Sequence, residues 1–187
     1  FERGEYVSFA NCGLPYHIGG VIQNRESLLI QTPESLKARF NLDVRVNSEV
    51  VGVNGKDKKV KVKTKNGEEY EENFDFLVLA PGAKSILPVV KGIENKKIFT
   101  LRNINDMDKI KAEIKNHNVK KATVVGGGYV GIETAENLKH LGIDTTLVEA
   151  APHILAPFDS EISNILEYEL VNNGIELMTS EKVVEFQ

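Results

Sequence analysis

A single cysteine occurs among the 187 residues of the chain. It is Cys12, in the stretch VSFANCGLPYH that runs from Val7 to His17. Cysteine attacks through its thiolate, and free N–H groups and the positive dipole at a helix start lower a thiol pKa from about 8.5. Asn11 reads as a helix N-cap with helix continuing over residues 13–22, so Cys12 is expected in the first turn with a reactive sulfur. A solitary cysteine is also commonly a small buried hydrophobe, and the residue by itself leaves both readings open. His17, one turn further along, is near enough to raise the thiolate population, but reads chiefly as a packed helix residue.

A second constellation consists of Gly126, Gly128 and Gly131, with Glu149 closing the following strand. In such a turn the first glycine permits the sharp bend, the second lets backbone approach a pyrophosphate, and the third lets the helix pack close to the strand. The helix N-terminus supplies unpaired N–H groups and positive dipole to the phosphates. Glu149 would accept hydrogen bonds from both ribose hydroxyls and repel a 2′-phosphate, which favours NADH over NADPH.

The elements that must position these residues follow from local pattern. Residues 5–9 end a strand, and Pro33 after Thr32 starts a short helix over 33–41. From Asp43 the chain turns to short β runs, VRV, SEVVGVN, KKVKVKTK and EEYEENF, with Asn66-Gly67 as a hairpin turn. FLVLA at 76–80 reads as a continuous apolar, buried, central strand stopped by Pro81-Gly82. Residues 83–103 read as loop with one short strand near Ile98, and 106–117 as a helix with Met107, Ile110 and Ile114 on one face. Residues 121–149 form a strand–turn–helix–strand unit, followed by a helix at 159–172 and strands near 175–178 and 181–186.

Composition narrows the partners. The net charge is −4 with lysines interspersed among acids, so no basic face invites nucleic acid or an anionic membrane. No apolar run approaches the roughly 20 residues of a membrane span and no secretory leader opens the chain, giving a cytoplasmic expectation. One cysteine excludes an internal disulfide, and the four histidines lack ligand spacing, so no metal site is expected.

The segment SFANCGLPYHIGGVI resembles the active-site segment of the single-cysteine, FAD-dependent pyridine nucleotide-disulfide oxidoreductases, in particular the coenzyme A-disulfide reductase branch with its NADH oxidase, NADH peroxidase and persulfide reductase relatives. The similarity continues in order through FDFLVLAPGAK, GIENKKIFTLRN, VVGGGYVGIETAENL and TLVEAAPHILAPFDSEI. It implies an α/β fold of two Rossmann-like, three-layer nucleotide-binding domains, both incomplete here: residues 1–116 a partial FAD domain with a β-hairpin insertion, 117–187 a partial NAD domain. The resemblance implies FAD contacts at Glu2 (ribose), Val51 (adenine, through backbone), and Ala80, Pro81 and Gly82 (flavin). Many relatives carry Thr where Pro81 stands, so no hydroxyl is available there. Tyr129 resembles the aromatic residue that covers the flavin and swings aside for nicotinamide, and Glu133 the acid beneath the nicotinamide. Ser8 and Asn11 resemble residues that position the coenzyme A thiol segment; Arg25, Lys37 and Arg39 are candidates for its phosphates.

The implied chemistry passes a hydride from NADH to FAD and two electrons onward to a mixed disulfide on Cys12, whose partner sulfur comes from a small thiol such as coenzyme A. A homodimer is implied as well. Two alternatives stand beside it: an oxidase or peroxidase in which Cys12 cycles through sulfenic acid, and a non-catalytic nucleotide-binding module with a structural cysteine.

Overall fold

A computed structural model describes residues 1–187. In chain order the elements are β1 (Ser8–Phe9), α1 (Gly13–Ile18), β2 (Leu29–Gln31), α2 (Pro33–Phe40), β3 (Ser48–Asn54), β4 (Lys59–Thr64), β5 (Glu69–Asn73), α3 (Ile104–His117), β6 (Lys121–Val125), α4 (Tyr129–His140), β7 (Asp144–Val148), α5 (Ser160–Asn172) and β8 (Glu176–Met178). They divide between two compact units. Unit 1 comprises Phe1–Ala10 and Glu26–Ala83, unit 2 Asn11–Arg25 and Lys84–Gln187.

In unit 1, β1 and β2 pair antiparallel, and β3, β4 and β5 form an antiparallel meander. Alternation explains the meander: Val60 and Val62 are buried, while the intervening lysines face water and pair across strands, Lys59 to Glu71 at 2.8 Å and Lys61 to Glu69 at 2.6 Å. The turn at Asn66-Gly67 takes its left-handed residue from Gly67, φ +86°. Helix α2 starts as expected. Thr32 Oγ1 accepts from Ser35 N–H, Ser35 Oγ accepts from Thr32 N–H, and Pro33 fills the first helical position.

Unit 2 contains the parallel sheet β6-β7-β8. Its core joins Ala135 of α4, Leu147 of β7, Ile154, Leu170 of α5 and Ile175, with Val124, Ile132, Leu166 and Leu177 packed around them. Each large aliphatic removed from water there contributes about 1.5–3 kcal/mol. Helix α3 begins at Ile104, two residues before the expected start, because Asn103 caps it by accepting from Asp106 N–H at 2.9 Å.

Several expected elements are not there. FLVLA is no strand and is not buried: Phe76, Val78 and Leu79 are 93%, 87% and 71% exposed, and no strand of the chain pairs with them. VRV (44–46) is irregular, no strand forms near Ile98, and 181–186 contributes only an isolated bridge between Glu185 and Lys91.

Candidate functional site

The glycine turn does what the residue types require. β6 ends at Val125 and Gly126 enters φ +109°, a region closed to most side chains. A Cβ on Gly131 would overlap the Gly126 carbonyl oxygen, so the third glycine is what brings α4 onto the turn. A Cβ on Gly128 would meet nothing within 4 Å. That open space, above the N-terminus of α4 where no side chain caps the first N–H groups, fits a dinucleotide pyrophosphate.

Glu149 is clamped. Its Oε2 accepts from Gly127 N–H at 2.6 Å and its Oε1 from Ala151 N–H at 2.7 Å, with lone pairs left for two hydroxyls. Gly127 is a site residue that the spacing of the motif does not single out. Its N–H orients the carboxylate, and a side chain there would strike Ile154. The run of three glycines was its only signal. Tyr129, first residue of α4, is exposed and meets Phe158 edge to face, ring centroids 6.2 Å apart.

Cys12 is exposed and forms the N-cap of α1, with φ −66° and ψ −18° and no side-chain capping bond. This corrects two expectations: Asn11 is not the cap, and Cys12 precedes the first turn. The helix also stops at Ile18, because Gly19 and Gly20 follow and Gly20 takes φ +80°. Asn11 Oδ1 accepts from Arg102 Nη1 at 3.2 Å. His17 is a packed residue: its Nδ1 lies 2.6 Å from the Ile22 carbonyl, so it donates there and leaves Nε2 to accept from the Lys111 ammonium at 3.1 Å. Lys111 also donates to the His17 carbonyl at 2.9 Å, and its burial pushes its pKa down. Arg25 forks onto Asp108 of α3 at 2.7–3.2 Å, which holds that carboxyl below its usual range.

Helix α1 packs directly on α4. Gly19 is pressed against Asn137, whose Nδ2 donates to the Glu133 carbonyl at 2.8 Å, and no side chain at 19 would fit. The facing acids set the electrostatics. Burial, then the charge of Glu136, pushes the Glu133 carboxyl up. Negative charge at Glu133 is the chief reason the Tyr16 phenol is pushed up, followed by burial, Glu136 and Cys12. Cys12, Tyr16 and Glu133 therefore share one electrostatic neighbourhood.

The other candidates lie in unit 1. Glu2 is half-buried, with Oε1 accepting from Gly4 N–H at 2.6 Å, and its backbone pairs with Arg45 and Ser48. Ser8 sits in β1 and Val51 is exposed on β3. Ala80, Pro81 and Gly82 are exposed; Gly82 has φ +68° and open space where a Cβ would stand. Lys37 and Arg39 are exposed on α2, with Arg39 over the Phe40 ring.

The family model described as pyridine nucleotide-disulphide oxidoreductase matches residues 1–187. The chain belongs to that family. It is 37% identical over 185 residues to a coenzyme A disulfide reductase of Staphylococcus haemolyticus, covering 98% of this chain and 41% of that one. It is 36% identical over 182 residues to an NADH oxidase of Methanocaldococcus jannaschii, covering 95% and 41%. Among solved structures, the reduced CoADR-RHD of Bacillus anthracis superposes with a TM-score of 0.96 at 48% identity, covering all of this chain and 34% of that one. The chain thus spans well under half the length of the curated relatives it matches. The mixed α/β architecture is that of FAD- and NAD-binding Rossmann-type oxidoreductases. No helix is long and apolar enough to cross a membrane.

Proposed function

We propose that this chain is the thiol-bearing part of an NADH-dependent flavoenzyme that reduces coenzyme A disulfide or a persulfide through Cys12. The observation that carries the reading is the packing of α1, headed by the exposed Cys12, on α4, the helix opened by the glycine turn. That packing supports a reading in which dinucleotide binding and sulfur chemistry belong to adjoining helices.

The roles follow. Gly126, Gly128 and Gly131 would hold the pyrophosphate of NADH and Glu149 its adenosine ribose, with Glu133 as the acid that meets the nicotinamide and Tyr129 as the residue that turns aside. Glu2, Val51, Ala80, Pro81 and Gly82 would hold FAD, which would supply a two-electron relay between nicotinamide and sulfur. Ser8 and Asn11 position the thiol substrate, Asn11 with its carbonyl already fixed by Arg102. The Cys12 thiolate attacks one sulfur of the disulfide, forming a Cys12–coenzyme A mixed disulfide and expelling one coenzyme A thiolate. The two electrons of NADH then cleave that bond, returning Cys12 as thiolate and releasing the second coenzyme A. Residues 1–116 serve the flavin side and 117–187 the NADH side, in a cytoplasmic homodimer.

The complete protein, supplied with NADH, is expected to turn over coenzyme A disulfide or a persulfide faster than oxygen or peroxide. Cys12→Ser should lower that turnover by at least about 10³-fold, the scale of losing a covalent nucleophile, while NADH still bleaches the flavin absorbance. Turnover of oxygen alone, with sulfenic acid at Cys12 by mass, would favour the oxidase reading, which the similarity to the M. jannaschii protein supports. A complete protein that takes up no flavin would overturn both.

A further inference from the structure

We propose that Phe158 is a latch on Tyr129, holding its ring in place until the reduced nicotinamide displaces it; the proposal rests on the reading of Tyr129 given above. The loop between β7 and α5 is anchored at many points although it forms no helix or strand. Ser180 N–H donates to the Ala151 carbonyl at 2.9 Å, and Glu167 Oε1 accepts from Ile154 N–H at 3.1 Å and lies 3.2 Å from His153 Nδ1. Ser163 Oγ donates to the Ile154 carbonyl at 2.8 Å, and the Ile154 side chain is fully buried against Gly127. Leu155 N–H donates to the Gly127 carbonyl at 2.8 Å, tying the loop to the glycine turn itself.

Leu155 takes φ +49°, a left-handed conformation that branched L side chains rarely adopt and that persists only where the surroundings impose it. Its carbonyl then accepts from Phe158 N–H at 2.8 Å, closing a turn that directs Phe158 at Tyr129. The rings meet at 74° and 6.2 Å, the edge-to-face geometry that aromatic quadrupoles favour. Phe158 is 43% exposed and Tyr129 59%, so neither ring is placed by the core. The strained turn therefore delivers an apolar ring to the surface where its ring partner is Tyr129.

When Tyr129 turns aside this contact breaks, so the latch opposes nucleotide entry. Edge-to-face pairs bias such an equilibrium by about two- to tenfold. The complete flavin-containing protein should be titrated with 1,4,5,6-tetrahydro-NADH, an analogue that binds without donating hydride. Phe158→Leu is expected to bind it about two- to tenfold more tightly than the unaltered protein, and Phe158→Tyr, which keeps the ring, to match the unaltered protein. In a Tyr129→Leu background the gain should vanish. Phe158→Met serves if the leucine variant loses flavin or melts early. Equal or weaker binding by the Phe158 variants, or the same gain without Tyr129, would overturn the latch alone. Failure of the unaltered protein to bind the analogue would remove the reading of Tyr129 and the latch together.

Discussion

Glu133 illustrates how one side chain on α4 links fold and chemistry. Burial and Glu136 raise its pKa, so the native state holds its proton to a higher pH than the unfolded chain does. Stability from this group is accordingly full below the ordinary glutamate range and falls as pH rises through the raised value. Glu133→Gln is expected to raise the melting temperature at pH 7, with the gain disappearing below about pH 4, as followed by circular dichroism across a pH series. The type and neighbours of Cys12 make it the reactive candidate, but its place at the helix start was not legible. A thiol is a weak capping group, so the capping preference pointed to Asn11, whose side chain is taken instead by Arg102, 91 positions away in sequence. Distant partners of that kind leave no local trace.

At the scale of elements, the strand–turn–helix–strand unit at 121–149 was readable because its determinants are local: three glycines at fixed offsets, a β-branched strand and a closing acid. The glycines make separable predictions. Gly131→Ala should destabilise the chain by about 1–3 kcal/mol through overlap with the Gly126 carbonyl and weaken NADH binding with it. Gly128→Ala, with open space around it, should leave the melting temperature unchanged while its methyl group impedes the pyrophosphate; calorimetric titration beside thermal melts distinguishes the two. The ion pair between Arg25 and Asp108 of α3 offers another test. Arg25 lowers the Asp108 pKa, so this pair stabilises above the ordinary aspartate range and its contribution is lost as pH falls through the lowered value. Asp108→Asn should melt earlier at pH 7, with the difference shrinking as pH falls below the ordinary aspartate value of about 3.9. The FLVLA run failed as an element because apolar content sets what side chains prefer, whereas a strand exists only when a neighbour takes its hydrogen bonds.

Across the whole molecule, the chain passes between its units at three points, near residues 10, 25 and 83, which no local pattern announced. Helix α1 belongs to the same unit as α4, while residues 1–10 and 26–83 on either side of it belong to unit 1. The exposed Phe76, Val78 and Leu79 make an apolar surface run, and the 187-residue chain in isolation is expected to self-associate, as read by light scattering. Leu79→Lys should reduce that association. Glu149 carries a last consequence. Because both of its oxygens are already engaged by main-chain N–H groups, the side chain is held in place before any ligand arrives. On the proposed reading of Glu149 as the residue that selects NADH, the same atoms serve coenzyme choice and main-chain closure, so a single replacement at 149 would leave two amide protons without their acceptor and loosen the scaffold.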